Sequence, residues 1–369
     1  MSAPVRNHAS VDSQLLEPRI AVGPGVAPAS LTVSAPPAPS ASFVKRVGTQ
    51  LVLDGRPYRF TGLNIYNANS RDNCWYSLGF DDGALDASLN AIGPAQNAFR
   101  AWFFQSLATR NGLRDWSAFD HTLAVAAAHH QRVVFTLANQ WGSCEESPTP
   151  VYKDEEWYRS GYRTVVRSGT VSYRAWVAEV VARYRDDPTI LMWQLMNEAE
   201  NQVADQHPAC GSPATLKAWA DDMSGLIKAI DSNHLISLGT IGGGQCGAVW
   251  NDYETLHSSQ NIDLCEYHDY GAAAAPLPGD EWNGLQVRIR QCRALNKPVF
   301  VGETGILLSE AGGSTLTRSL YIKAKLRAQL DLGVVGELLW AWNNEPVLLT
   351  TFDVGARDPA LTVLSSISP

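Results

Sequence analysis

From about residue 43 onward the chain alternates between two kinds of pattern. Short apolar runs lie at 62–64, 96–104, 132–139, 188–192, 235–240, 262–268, 298–302 and 334–340. They read as strands buried on both faces, because their apolar residues are continuous rather than alternating. Between them, residues 83–92, 117–130, 172–184, 213–230, 251–257, 283–295 and 315–332 carry apolar positions at helical spacing, and 359–367 reads as a last helix. Ser117 is placed to cap its helix. Strict alternation of strand and helix predicts a parallel sheet with crossover helices. Eight such units at this length predict a closed (β/α)8 TIM barrel.

Two segments precede the barrel. Residues 44–59 read as a small N-terminal β-hairpin, with Asp54-Gly55 as its turn. Residues 1–42 are rich in Ala, Pro, Ser and Val and read as a disordered or extended leader, leaving 43–369 as one catalytic domain. The leader has no continuous apolar core of the signal-peptide kind.

Two of the strand ends carry a carboxylate. The fourth runs into Trp193-Gln-Leu-Met-Asn197 and then Glu198, and the seventh into Gly302 and then Glu303. Binding and catalytic groups of a parallel barrel collect at the C-terminal ends of its strands, and strands four and seven face each other across the mouth. Glu198 alone reads equally as a solvated strand end. With Glu303 opposite it becomes half of a carboxylate pair, the requirement for glycoside hydrolysis. Desolvation at the rim would raise Glu198 and suit it to be the general acid. A retaining pair lies about 5 Å apart, whereas roughly 9 Å would mean inversion.

The motifs in order are Arg100, Asn197-Glu198, His268-Asp-Tyr270, Glu303 and Trp340. As a set they resemble glycoside hydrolase family 5, the cellulase and mannanase family of retaining (β/α)8 enzymes, over most of the chain from residue 43. The resemblance implies that Glu198 is the general acid/base and Glu303 the nucleophile. It implies that Arg100 and the Tyr270 hydroxyl hold Glu303 at low pKa and that Asn197 takes the sugar 2-hydroxyl. His268 would line the site and Trp340 would be the floor on which the sugar stacks. Trp102, Asn139 and Trp141 join these as expected substrate-binding residues. Arg100 reads alternatively as a structural ion pair, and Trp193 and Trp342 as core. Glu200 is expected in a solvated loop, and Glu266 and Glu337 have no role beyond a buried ion pair.

Composition narrows the partners. A net charge of −8 with no basic run argues against nucleic acid or an anionic membrane surface. The 12 Trp and 12 Tyr suit a cleft that stacks on sugar rings. The expected partner is an oligosaccharide, polysaccharide or glycoside, bound by a monomer. No metal spacing and no G-x-G-x-x-G or phosphate loop appears, so no cofactor is expected, and Gly242-Gly243-Gly244 reads as a rim loop. Six cysteines suit an extracellular enzyme, with expected pairs Cys210–Cys246, Cys265–Cys292 and Cys74–Cys144; the alternative is six buried thiols in a cytosolic one.

The substrate stays open at this stage. The leading segment and the Arg100-Ala-Trp102 strand resemble the mannanase branch, which points to a β-mannan or β-glucan cut internally. The Asn139-Gln-Trp141 and Gly243-Gly-Gln-Cys246 stretches depart from that pattern and leave an exo-acting β-glucosidase, β-mannosidase or diglycosidase as the alternative. Trp141, Trp157 and Tyr158 are expected to wall the leaving-group side. A non-catalytic sugar-binding barrel is the reading from another class, and the second carboxylate argues against it.

Overall fold

The computed structural model describes residues 42–70, 83–93, 96–145, 151–165, 171–204, 209–344 and 349–367. Eight parallel strands form one sheet: β1 (Phe60–Asn64), β2 (Ala98–Trp102), β3 (Arg132–Thr136), β4 (Ile190–Gln194), β5 (Leu235–Ser237), β6 (Cys265–Asp269), β7 (Val299–Thr304) and β8 (Gly336–Leu339). Their order is β5-β4-β3-β2-β1-β8-β7-β6, and a parallel bridge between Ser237 and Leu264 joins the two ends. The sheet is therefore a (β/α)8 barrel. Helices α1 (Ala84–Ile92), α2 (Ser117–Ala128), α3 (Tyr173–Tyr184), α4 (Pro213–Ile230), α5 (Asp252–His257), α6 (Leu285–Ala294), α7 (Thr315–Asp331) and α8 (Pro359–Ile367) follow the strands in turn. The expected leader lies outside the described residues apart from Ser42.

The strands are buried on both faces but not with the same chemistry. Outward residues such as Phe99, Phe135, Trp193, Tyr267 and Val301 join the large apolar layer beneath the helices. Inward residues split by height. Near the N-terminal end, Phe60, Ala98, Val134, Met192, Leu264, Phe300 and Leu338 form an apolar plug. Above it, Asn64, Arg100, Thr136, Gln194, Ser237, Glu266 and His268 form a buried polar belt. The plug supplies burial, and the belt carries the site.

Two local expectations change. The N-terminal hairpin is a three-stranded antiparallel sheet of Lys45–Val47, Gln50–Leu53 and Arg56–Tyr58, whose Val44 and Leu51 close the plug from below. Asp54 and Gly55 both have positive φ, 51° and 76°, as the two-residue turn requires. The first turn, at Gly48 with φ 61°, lacks an Asn-Gly or Asp-Gly signature. Ser117 does not cap α2. Trp116 takes the N-cap position with no side-chain cap bond, and Asp115 Oδ1 instead accepts the Ser117 backbone N–H at 3.1 Å and hydroxyl at 2.5 Å.

The disulfides Cys210–Cys246 and Cys265–Cys292 are formed as expected. Cys144 is disulfide-bonded too, and Cys74 lies outside the described residues. No helix among the described residues is long and apolar enough to cross a membrane.

Candidate active site

A cleft of about 980 Å³ opens over the C-terminal ends of the strands. Glu198 and Glu303 line it, together with Tyr66, Trp102, Trp141, Asn197, Tyr270 and Trp340. Glu198 stands just past β4 with φ 58°, a left-handed backbone that a glutamate seldom adopts. Glu303 owes its direction to a slip in register. Along β6, Tyr267 pairs with Val301 and His268 with Glu303, and along β8 the same slip falls between Val301 and Thr304. The extra residue re-aims the strand end, so that Glu303 follows Gly302 toward the cleft. Carboxylate oxygens of Glu198 and Glu303 and a nitrogen of His268 all lie within 4.8 Å of one another.

Glu303 is 3% exposed and both its oxygens are occupied. Arg100 Nη1 donates to Oε1 at 2.7 Å and the Tyr270 hydroxyl to Oε2 at 2.5 Å. Arg100 is itself fully buried and held on every side. Its Nε donates to Gln194 Oε1 at 2.7 Å, its Nη1 also to Asn64 Oδ1 at 2.9 Å, and its Nη2 to Asn197 Oδ1 at 2.6 Å. Its guanidinium stacks over Trp102 at 4.5 Å. Arg100 is thus both the ion pair and a site residue; the two readings describe one side chain.

Glu198 is held differently. His268 Nδ1 lies 3.0 Å from its Oε1, and the Trp141 indole N–H donates to its Oε2 at 2.7 Å. Asn197 donates to Asn139 Oδ1 at 3.0 Å, and Asn139 is 4% exposed. Asn139 is therefore chiefly a brace for Asn197 at the cleft floor. Trp340 stacks on Tyr66 with centroids 5.1 Å apart and tilts toward Trp102 at 5.9 Å, which makes an aromatic wall opposite the carboxylates.

The electrostatics depart from the sequence expectation. Burial pushes Glu303 up, and the charge of Glu198 adds to it; His268, Arg100 and the Tyr270 hydroxyl pull it down but do not prevail. Glu198 feels burial as well, yet the His268 hydrogen bond and charge, the Trp141 N–H and Arg100 outweigh it and hold it below the usual carboxylate value. Without a substrate the pair is therefore poised opposite to the roles the resemblance implies. Two carboxyls this close titrate as a unit, so a ligand that changes the surroundings of one changes the protonation of both. His268 is raised to about 10: burial opposes its charge, but Glu303, Glu198 and Glu266 overcome it. His268, Glu198 and Glu303 are also the group among the described residues spaced to hold a metal. A protonated His268 offers no lone pair there, and Arg100 already occupies one Glu303 oxygen.

Several residues that the sequence pattern does not mark line or support the cleft. Glu266 is fully buried beneath it, accepting from Gln194 Nε2 at 2.6 Å and Ser237 Oγ at 2.5 Å, with His268 Nε2 at 3.3 Å. Tyr66, Asn343, Phe352 and Asp353 line the cleft. Glu200 is not solvated: it is 4% exposed and accepts from the Tyr152 hydroxyl at 2.7 Å. Of the expected aromatic wall, only Trp141 faces the cleft. Tyr158 is 1% exposed, and Trp157 packs against the apolar layer beneath the helices. Trp193 and Trp342 are core, and Glu337 is buried, accepting from Thr304 Oγ1 at 3.5 Å.

Residues 112–273 match the model of a GH family 5 beta-mannosidase-like domain. That match, over less than half of the chain, supports an assignment to glycoside hydrolase family 5. Among curated relatives, mannan endo-1,4-beta-mannosidase 8 of Oryza sativa subsp. japonica is 26% identical over 357 residues, covering 81% of this chain and 90% of the relative. Among solved structures, the endo-1,4-beta-mannanase from Rhizomucor miehei superposes with a TM-score of 0.64 at 20% identity, over 88% of this chain and 97% of that one. The family 5 mannosidase of Rhizomucor miehei superposes with a TM-score of 0.60 at 17% identity, over 88% and 96%. These likenesses carry the barrel fold; the site's chemistry rests on its own geometry.

Proposed function

We propose that this protein is a retaining β-glycoside hydrolase of β-mannan, with Glu198 as general acid/base and Glu303 as nucleophile. The observation that carries the reading is the spacing of the two carboxylates, whose oxygens come within 4.8 Å, together with the two donors fixed on Glu303. That short spacing suits direct attack on C1 by one carboxylate, where a pair set to place a water beside the sugar stands farther apart. The mannan endo-1,4-beta-mannosidase names of the relatives supply the substrate class.

The steps follow from the geometry. A sugar seated between the carboxylates and the Trp340 wall displaces water from around Glu198, and that desolvation raises its pKa toward the protonated form. Positive charge developing at C1 beside Glu303 favours its ionised form. Glu303 then bonds to C1 as the C1–oxygen bond breaks, and the Glu198 proton passes to the leaving oxygen. Glu198, now a carboxylate, takes a proton from water as that water attacks C1 from the vacated side and releases Glu303. Two inversions give retention. Asn197 is anchored by Arg100 and Asn139 and keeps one amide hydrogen for the sugar 2-hydroxyl. We further read the chain as an extracellular monomer; the disulfides support the first half of that reading.

The test is the anomeric configuration of the first-formed product on soluble mannooligosaccharides, followed by NMR. The β-anomer is expected first. An α-anomer formed first would rule out this mechanism. A product ladder on mannan compared with carboxymethylcellulose then names the sugar and separates internal from terminal cleavage.

A further inference from the structure

Trp250 and Trp282 are 61% and 60% exposed, the most open tryptophans among the described residues, and neither lines the catalytic cleft. Trp250 lies on the loop from β5 to α5 and Trp282 on the loop from β6 to α6. Both loops leave the C-terminal ends of their strands, the end at which the cleft opens. Scattered exposed apolar residues are ordinary, but these two are held by buried machinery.

That machinery is Arg288, on α6 and fully buried. Its Nε donates to the Gly242 carbonyl at 2.7 Å, its Nη2 to Ala248 at 2.9 Å and its Nη1 to Trp250 at 2.7 Å. One side chain thus fastens the whole β5–α5 loop. Gln291 Nε2 adds a second bond to the Trp250 carbonyl at 3.1 Å. Asn283, next to Trp282 in the chain, receives the Trp250 backbone N–H on its Oδ1 at 2.9 Å, and Arg288 Nη2 at 2.8 Å. The Trp282 turn is closed by Asp280, whose Oδ1 accepts the N–H groups of Trp282 and Asn283. Trp250 itself is held at φ 49°, a conformation costly for a bulky side chain. A fully buried arginine therefore stabilises a strained backbone whose outcome is a large indole facing solvent. The Asn283 side chain thereby ties the Trp250 backbone to the residue beside Trp282.

We propose that Trp250 and Trp282 form a second carbohydrate-binding platform, on which a β-linked polysaccharide chain stacks outside the catalytic cleft. Indoles carried on a backbone held in place offer flat apolar faces to sugar rings at lower entropic cost than those of a loose loop. Their position at the cleft end of the barrel suits a polymer longer than the cleft, and in this the inference rests on the reading of the chain as a polysaccharide hydrolase.

The test uses the full chain and its Trp250→Ala, Trp282→Ala and double variants, each measured for retention on insoluble β-mannan and β-glucan and for kcat/KM on a short soluble mannooligosaccharide. The double variant is expected to bind the preferred insoluble glycan about tenfold more weakly, with the single variants between. Its kcat/KM on the short substrate is expected to stay within about twofold of wild type. Unchanged retention in the double variant overturns the platform. So does a fall in kcat/KM that matches the loss of retention, which would place the indoles in the catalytic cleft. Loss of self-association in the double variant, with glycan retention intact, would make the pair a protein interface instead. Tryptophan-dependent retention by a protein that cleaves no β-mannan would leave the platform standing and sink the hydrolase reading alone.

Discussion

Glu266 lies directly beneath His268, its Oε1 3.3 Å from the imidazole Nε2, with both side chains buried. The opposite ring nitrogen faces Glu198 at 3.0 Å and Glu303 at 3.5 Å. His268 is thus an imidazolium between three carboxylates, and Arg100 is the second cation of the cluster. Through Gln194, Glu266 also reaches Arg100. One buried carboxylate steadies the cation beside each member of the pair. Glu266→Gln keeps the shape and removes the charge, so His268 loses part of what raises it. Activity is expected to fall about tenfold or more, with the alkaline limb of the kcat/KM profile displaced. An unchanged profile would reduce Glu266 to packing.

The raised His268 also has a stability consequence. Its folded pKa of about 10 lies above the ordinary 6.5, so its contribution is complete below 6.5 and is lost as pH rises through 10. In Glu266→Gln the folded pKa is lower, so the contribution is expected to be smaller and its loss complete at lower pH. Thermal midpoints measured between neutral and alkaline pH, wild type against variant, decide it.

Trp141 donates to the oxygen of Glu198 that His268 does not hold. That bond helps to lower Glu198, so Trp141→Phe, which keeps an aromatic face, is expected to raise it. A higher acid pKa keeps Glu198 protonated further into the alkaline range. The alkaline limb of kcat/KM then moves up in pH, and a downward movement would contradict the assignment of Glu198 as the acid.

Gly302 has no room for a side chain. A Cβ there would stand 2.1 Å from Glu266 Oε1 and 3.1 Å from His268 Nε2. Glu266 cannot retreat without leaving Gln194 and Ser237. Gly302→Ala is expected to cut kcat by about a hundredfold or more while the barrel still folds, since a displaced carboxylate misplaces the reacting groups. Circular dichroism with single-turnover kinetics separates the two effects.

Behind the Tyr270 turn, Lys325 of α7 pairs with Asp269 at 3.0 Å, both fully buried, and Gln329 and the Gly271 N–H complete the carboxylate. Lys325→Met leaves that charge buried without its cation. A loss of about 3 kcal/mol or more in denaturant unfolding is expected. A weaker hold on Glu303 should accompany it, because the Tyr270 hydroxyl is placed by the same turn.

The barrel was legible in the sequence because its strands are short apolar runs and its helices carry clean periodicity; 213–230 and 359–367 matched to the residue. The carboxylate pair was legible because each glutamate ends such a run. The polar belt was visible only as an anomaly, since Arg100, Gln194 and Glu266 interrupt runs that otherwise read as core. Nothing local says that all three turn inward at the same height and touch.

Sequence alone determined the strand and helix alternation and the two strand-end glutamates, because periodicity and residue type act locally. Tertiary structure decided the rest. Barrel closure brought β1 to β6 into one polar belt, and the register slips at Gly302 of β7. Burial of that belt set the direction of each pKa, since a charge cluster depends on distances that no single segment encodes.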